Sequence, residues 1–322
     1  MSSQRAGLPV VGITMGDAAG IGPEVVVRSL ADLDLQNTCI CKVIGDKTHL
    51  RHVAENLGLA AGLSNIEVID LRNLPSDIEM GVDSAVTGKA SAEYIEKAVE
   101  LWRNGEIDAI STAPISKKAI ALGGYDFPGH TEFLAKLTDT QQFAMSFFAD
   151  KLRVVLLSTH LPLRDAIELV TTDRLTELIT FADRQLSKLL HKKVKLAIAG
   201  LNPHASEDGL FGREELDDIV PAIEHCRDEL GIDISGPFSP DTIFLRCSRG
   251  EFDGVIALYH DQATIPVKAI SFNSGVNVTL GLPLIRTSVD HGTAFAIAGK
   301  GVAESASMRA AIRLAAELAS TR

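Results

Sequence analysis

Pro9-Val-Val-Gly-Ile-Thr-Met15 runs directly into Gly16-Asp-Ala-Ala-Gly-Ile-Gly-Pro-Glu24, and this junction decides the fold class. A short, β-branched apolar run bounded by turn residues reads as a strand. Glycines at 16, 20 and 22 permit a tight turn, Pro23 suits a first helical position, and Glu24 complements the positive end of a helix. The stretch therefore spells strand, turn, helix. Neither a G-x-G-x-x-G nor a G-x-x-x-x-G-K-[ST] pattern occurs here or elsewhere in the chain. The turn reads equally well as a shape that needs glycine for itself and as the lining of a cleft at the carboxyl end of a strand.

The same alternation continues outward. Strands are predicted over 9–15, 41–44, 66–71, 107–111, 153–158, 195–199 and 254–258. Helices are predicted over 23–33, 47–57, 90–104, 173–190, 214–229 and 305–319. Strands alternating with amphipathic segments imply an α/β fold with a mainly parallel sheet. A length of 322 residues suggests two domains. There is no internal repeat or low-complexity linker, so domain boundaries are expected in ordinary loops, with the chain free to cross between domains more than once.

Composition narrows the function. A formal charge of −11 repels polyphosphate, and aromatics at 5% leave little for base stacking, so nucleic acid is not an expected partner. A small phosphorylated substrate remains compatible, because a few local cations overcome the overall field. No signal core opens the chain and no apolar run reaches membrane-spanning length, which predicts a cytoplasmic protein without membrane contact. The cysteines at 39, 41, 226 and 247 are expected to be reduced, buried thiols. Cys39 and Cys41 are too close for a zinc knuckle and are expected on opposite faces of a strand.

Three of the nine histidines directly follow strand-like runs: His160, His204 and His260. Strands of one parallel sheet end on the same side, so their side chains can converge, and three imidazoles with an open position suit zinc or a similar divalent ion. His49, His52, His191 and His225 read as surface residues. His130 and Thr131 lie in Phe127-Pro-Gly-His-Thr-Glu-Phe133, a turn into a helix whose N-terminus offers an anion contact or, for Thr131, a cap. Lys268, Asn277 and Arg286 sit beside glycines or prolines in apolar surroundings and suit a phosphate or carboxylate. The small residues after Asp290-His-Gly-Thr293 let backbone approach a flat or charged ligand closely.

Six motifs then fall in order along the chain: the Gly16–Glu24 turn, Pro128-Gly-His-Thr-Glu-Phe133, Ser158-Thr-His-Leu-Pro-Leu-Arg164, Leu201-Asn-Pro-His-Ala205, Tyr259-His-Asp-Gln262, and the run from Gly275-Val-Asn to Asp290-His-Gly-Thr293. Together they resemble the PdxA family, the 4-hydroxythreonine-4-phosphate dehydrogenases and their relatives acting on 4-phospho-threonate or 4-phospho-erythronate. The resemblance implies an isocitrate/isopropylmalate dehydrogenase-like fold with two α/β domains and an active-site cleft between them. Residues 1–132 with 286–322 would form one domain, and 133–285 the other, carrying metal ligands and the dimer interface. It also implies a divalent metal (zinc, magnesium, cobalt or manganese) on His160, His204 and His260, and substrate contacts from His130, Thr131, Lys268, Asn277 and Arg286. NAD would lie against Asp290, His291, Gly292 and Thr293. The expected assembly is a homodimer with a shared active site.

Ala18, Ser116 and Ala263 depart from the family pattern, where Pro, Asn or His, and Gly are usual. Gly209-Leu-Phe-Gly212 and Ile265-Pro266 look closer to the phospho-threonate branch. The expected reaction is NAD-dependent oxidation of a 4-phosphorylated 3-hydroxy acid, followed by decarboxylation. Asp241, Lys117 and Asp261 are the candidates for the general base. A terephthalate-type dihydrodiol dehydrogenase, a metal-dependent hydrolase of phosphorylated sugars and a non-catalytic sensor are the rival readings. The Gly-His-Thr-Glu pattern favours a phosphorylated substrate over the dihydrodiol.

Overall fold

The computed structural model describes residues 7–271 and 274–320. Among them are eleven strands: β1 (Val10–Thr14), β2 (Ile40–Gly45), β3 (Glu67–Asp70), β4 (Ala109–Thr112), β5 (Ala144–Ala149), β6 (Leu152–Leu156), β7 (Leu196–Ala199), β8 (Ile234–Phe238), β9 (Gly254–Ala257), β10 (Val276–Leu280) and β11 (Ile285–Ser288). They divide between two compact units, one built from the chain up to Phe143 together with Leu282 onward, the other from Ala144–Gly281.

In the first unit the strand order is β3-β2-β1-β4-β11, and every neighbouring pair is parallel. The order reverses between β1 and β4, which makes the carboxyl ends of those two strands the place where this architecture binds ligands. Both strands are almost wholly buried, which explains their continuous apolar spelling. The helix Gly22–Leu30 follows β1 with Pro23 in its first turn, as the sequence predicts. The helix Ala85–Arg103 starts before 90 because Ser84 Oγ caps it, accepting from Thr87 N at 3.1 Å. Helix His130–Leu137 packs against it in the same unit, and a boundary at 132/133 would cut through it.

The second unit has the order β10-β5-β6-β9-β7-β8. β10–β5 and β5–β6 are antiparallel, whereas β6–β9, β9–β7 and β7–β8 are parallel. Its core joins Phe147, Leu152 and Val154 of the strands to Ile243, Phe244 and Val267 of the helices Pro240–Ser248 and His260–Ser271. Each such side chain contributes about 1.5–3 kcal/mol through burial.

The mainly parallel α/β architecture agrees with the sequence. Several elements do not appear in the sequence reading: β5, β8, β10, β11 and most of the short helices. The predicted helix 214–229 is instead a regular turn at Val220–Glu224 between two wider, i→i+5 turns. Cys39 and Cys41 also correct an expectation. Residues i and i+2 share one face of a strand, and their buried sulfurs lie 3.6 Å apart. No described helix is long and apolar enough to cross a membrane.

Candidate active site

The sequence candidates divide between the two units. In the first, Arg286 on β11 is 4% exposed, and its Nη2 donates to Thr112 Oγ1, at the end of adjacent β4, at 2.9 Å. Burial holds the guanidinium below its ordinary 12.5, at about 10, with the nearby Glu132 carboxylate acting in the opposite direction. His130 opens the helix His130–Leu137, with Thr131 and Glu132 beside it in the first turn. Burial, reinforced by the Arg286 charge, holds the His130 imidazole well below its ordinary 6.5, so the ring is neutral at pH 7. Its Nε2 is buried and has no hydrogen-bond partner among the described residues. A buried cation, a neutral ring nitrogen and a helix N-terminus thus occur together, which is an arrangement that receives an anion. Lys117 is exposed at the start of helix Lys117–Leu122, and its Cε would lie 3.9 Å from a Cβ placed on Gly129.

The glycine-rich turn needs its glycines. Gly16 has φ +75°, and a Cβ there would come within 2.4 Å of the Pro114 carbonyl oxygen. A side chain on Gly20 would strike Thr293, whose carbonyl accepts from Ile21 N at 2.9 Å. Thr293 is therefore built into the turn, whereas His291 and Gly292 are exposed and Asp290 is half-buried. Beside them Gly20, Pro23, Met80, Gly299 and Gly301 line part of a small cleft.

His49, read from sequence as a surface residue, is half-buried, and its Nε2 has no hydrogen-bond partner among the described residues. Burial lowers its pKa, opposed by the Asp46 carboxylate and by the Ala18 backbone in the glycine-rich turn. The local signal was the helix cap: Asp46 Oδ1 accepts from His49 N at 2.9 Å.

In the second unit His160 follows β6, while His260 is the first residue of helix His260–Ser271 rather than a loop residue. Their ring centroids are 5.6 Å apart, and Asp261 Oδ1 lies 3.6 Å from His260 Nδ1. His204 lies in the segment after β7, its ring 6.4 Å from that of Phe211. It begins a run of five consecutive non-glycine residues with positive φ, His204 to Asp208, at 54°, 52°, 68°, 44° and 54°. Left-handed backbone costs L-residues roughly 1–2 kcal/mol each, so surrounding structure must hold this turn. Among the described residues no three His, Cys, Asp or Glu side chains form a group able to hold a metal. Imidazole is a donor type that a borderline divalent ion takes, and two of these three rings adjoin.

Asn277 on β10 has a buried Oδ1 with no hydrogen-bond partner among the described residues. Lys268 is exposed on the helix His260–Ser271. Asp241, also exposed, accepts from Ser239 Oγ at 2.6 Å. Leu245, Ile265 and Ile270 are 48%, 66% and 43% exposed around an open apolar groove. Thr112, Glu132, Glu215 and Gln262 were not singled out from sequence, since each acts through a tertiary contact that local patterning does not encode.

Comparison with known proteins supplies the lineage. A family model described as "Pyridoxal phosphate biosynthetic protein PdxA" matches residues 24–315. A D-threonate 4-phosphate dehydrogenase from Cupriavidus necator is 46% identical, over 98% of this chain and 98% of its own. A crystal structure of a 4-hydroxythreonine-4-phosphate dehydrogenase from Burkholderia phymatum is 45% identical with a TM-score of 0.84, covering 97% of this chain and 98% of that one. The corresponding Klebsiella pneumoniae structure is 40% identical with a TM-score of 0.87, at the same coverage. With these matches running nearly end to end, this chain belongs to the PdxA family and is a dehydrogenase acting on a CH–OH group.

Proposed function

We propose that this chain oxidises a 4-phosphorylated 3-hydroxy acid, D-threonate 4-phosphate in the first instance, with NAD as hydride acceptor and a divalent metal as Lewis acid. The observation that carries the phosphorylated substrate is the buried Arg286 beside neutral His130, whose Nε2 has no hydrogen-bond partner among the described residues. The name of the Cupriavidus necator relative supports threonate, and that of the Burkholderia phymatum structure supports 4-hydroxythreonine 4-phosphate as the second reading.

On this reading Arg286 fixes the anionic end of the substrate, with His130 and Thr131 completing its hydrogen bonds. Lys268 and Asn277 of the second unit serve the same substrate. His160, His204 and His260 hold the metal, which when bound favours loss of the hydroxyl proton and stabilises negative charge on oxygen. Asp290, His291, Gly292 and Thr293 would hold NAD, which when bound would supply the hydride acceptor. Oxidation β to the carboxylate leaves a β-keto acid, which loses CO2 readily. The proton acceptor comes from Asp241, Lys117 or Asp261, and the variant among Asp241→Asn, Lys117→Ala and Asp261→Asn that loses kcat while keeping KM identifies it.

A homodimer whose active site draws on both subunits completes the proposal. Its support is the exposed apolar groove around Leu245, Ile265 and Ile270, since a large apolar patch on a folded surface marks an interaction site. The deciding experiment is NADH formation, with and without divalent metal, from D-threonate 4-phosphate, erythronate 4-phosphate, 4-hydroxythreonine 4-phosphate and a cis-dihydrodiol. Turnover of a phosphorylated acid supports the proposal. Turnover confined to the dihydrodiol, or phosphate release without NAD, overturns it.

A further inference from the structure

The groups around Arg286 do not by themselves balance the charge of a phosphate monoester. Arg286 brings one positive charge, His130 is neutral, and Glu132 brings a carboxylate close enough to oppose the effect of burial on Arg286. The guanidinium and the carboxylate cancel, so the three groups together carry no net charge. A phosphate monoester carries about −1.5 to −2 at pH 7, and taking such an ion out of water is costly unless it is paired. The site needs a further cation at the same helix end.

The space in front of that helix shows where one stands. Gly129 immediately precedes helix His130–Leu137, and no side chain caps the helix there. With φ at 175° the backbone at 129 is extended, so its conformation does not demand glycine. What the missing side chain leaves is room. A Cβ placed in that room would meet only the ends of two charged side chains, Glu132 Oε2 at 3.3 Å and Lys117 Cε at 3.9 Å. The Lys117 ammonium is one bond further along.

Lys117 is set there by the start of its own helix. Ser116 Oγ caps Lys117–Leu122, accepting from Ala119 N at 3.1 Å, and donates to Asp83 Oδ1. Asp83 Oδ2 in turn lies 3.4 Å from Lys118 Nζ. Of two adjacent lysines one is therefore paired, whereas Lys117 forms no ion pair among the described residues.

We propose that Lys117 is a substrate-binding residue, its ammonium supplying the second positive charge that lets the Arg286–His130 site hold a doubly charged phosphate. This rests on the reading of Arg286 and His130 as the phosphate site. Lysine suits the place, because a point charge on a flexible four-carbon stem can cross the opening left by Gly129. Lys117 then binds the substrate rather than taking its proton, and Asp241 and Asp261 remain as proton acceptors.

The test uses Lys117→Ala, Lys118→Ala and Arg286→Ala, each titrated with inorganic phosphate by phosphorus NMR without NAD, and each assayed with D-threonate 4-phosphate. Lys117→Ala is expected to weaken phosphate binding and raise the substrate KM about tenfold or more, with kcat within about threefold of wild type. Lys118→Ala removes the same charge one residue away and should change both by less than about twofold. Phosphate binding and KM near wild type in Lys117→Ala overturn the inference. So does a fall in kcat at unchanged KM, which would mark Lys117 as the proton acceptor. An equal loss in Lys118→Ala also overturns it, since a general field rather than a contact would then be at work. Wild-type protein that binds no phosphate, or Arg286→Ala that binds it as wild type does, overturns the phosphate-site reading itself. Loss in Arg286→Ala with retention in Lys117→Ala overturns only the role of Lys117.

Discussion

Arg286 Nη2 and Thr112 Oγ1 meet at 2.9 Å across two adjacent parallel strands, so the guanidinium is aimed by a neighbour that lies 174 residues away in sequence. Arg286→Ala is expected to raise the KM for the phosphorylated substrate far more than that for NAD. Losing one partner of a desolvated charge-assisted contact costs roughly 2–5 kcal/mol, equivalent to about 30- to 4,000-fold. Steady-state kinetics with each substrate varied in turn checks this, and an unchanged substrate KM would place Arg286 outside the substrate site.

Thr112→Val keeps the size of that neighbour and deletes its hydroxyl. A smaller rise in substrate KM is expected, corresponding to about 1–2 kcal/mol. A change in KM for NAD alone would count against the orienting role of Thr112.

His130 makes stability depend on pH. Its folded pKa lies below the 6.5 of the unfolded chain, so in acid the unfolded chain takes up a proton that the folded one resists. The stability is complete above about 6.5 and falls as pH drops from there towards the folded value. His49, shifted in the same direction, contributes to the same slope. His130→Gln should flatten the decline of Tm between about pH 7 and pH 5, and an unchanged slope would contradict the burial of His130.

Metal removal is expected to abolish turnover and added divalent ion to restore it, and His204→Ala should be inactive at ordinary metal concentrations. Near-full activity in a chelator-stripped sample, with residual metal checked by elemental analysis, would refute the Lewis-acid role.

Subunit mixing tests the shared site. Inactive His204→Ala and inactive His260→Ala chains, allowed to exchange, should regain activity towards half of wild type per mixed dimer. A mixture that stays inactive although exchange is demonstrated by mass spectrometry would show each site to be complete within one chain.

How much of this was legible in sequence depended on whether the constraint was local. The Gly16–Glu24 turn was legible because Gly16 requires a positive φ and Gly20 leaves no room for a side chain, and composition records both demands. That His160 and His260 follow strands was legible because each comes directly after an apolar run. The Arg286–Thr112 contact was not, since which strands become neighbours is settled by packing. The left-handed turn at His204 was hidden for a different reason. Its Pro-His-Ala-Ser-Glu stretch contains no glycine, and it is held instead from outside by Glu215 through Asn202. Gln262 looks like any polar residue early in a helix until its two amide partners, Leu258 N and the Gly200 carbonyl, are known.

The discontinuous make-up of the first unit has a consequence for how the protein is made. On the ribosome β1 to β4 emerge early, yet β11, the parallel neighbour of β4, and the helix Ala306–Ser320 that packs on both appear only after the whole second unit has been synthesised. Until then one side of β4, with its Ala-Ile-Ser-Thr strand, presents an unpaired apolar edge of the kind that recruits other chains. The second unit is contiguous and can complete its own sheet in the interval. The nascent chain is therefore most exposed to aggregation late in translation, and a circular permutation that brings β11 ahead of β1 would shorten that window.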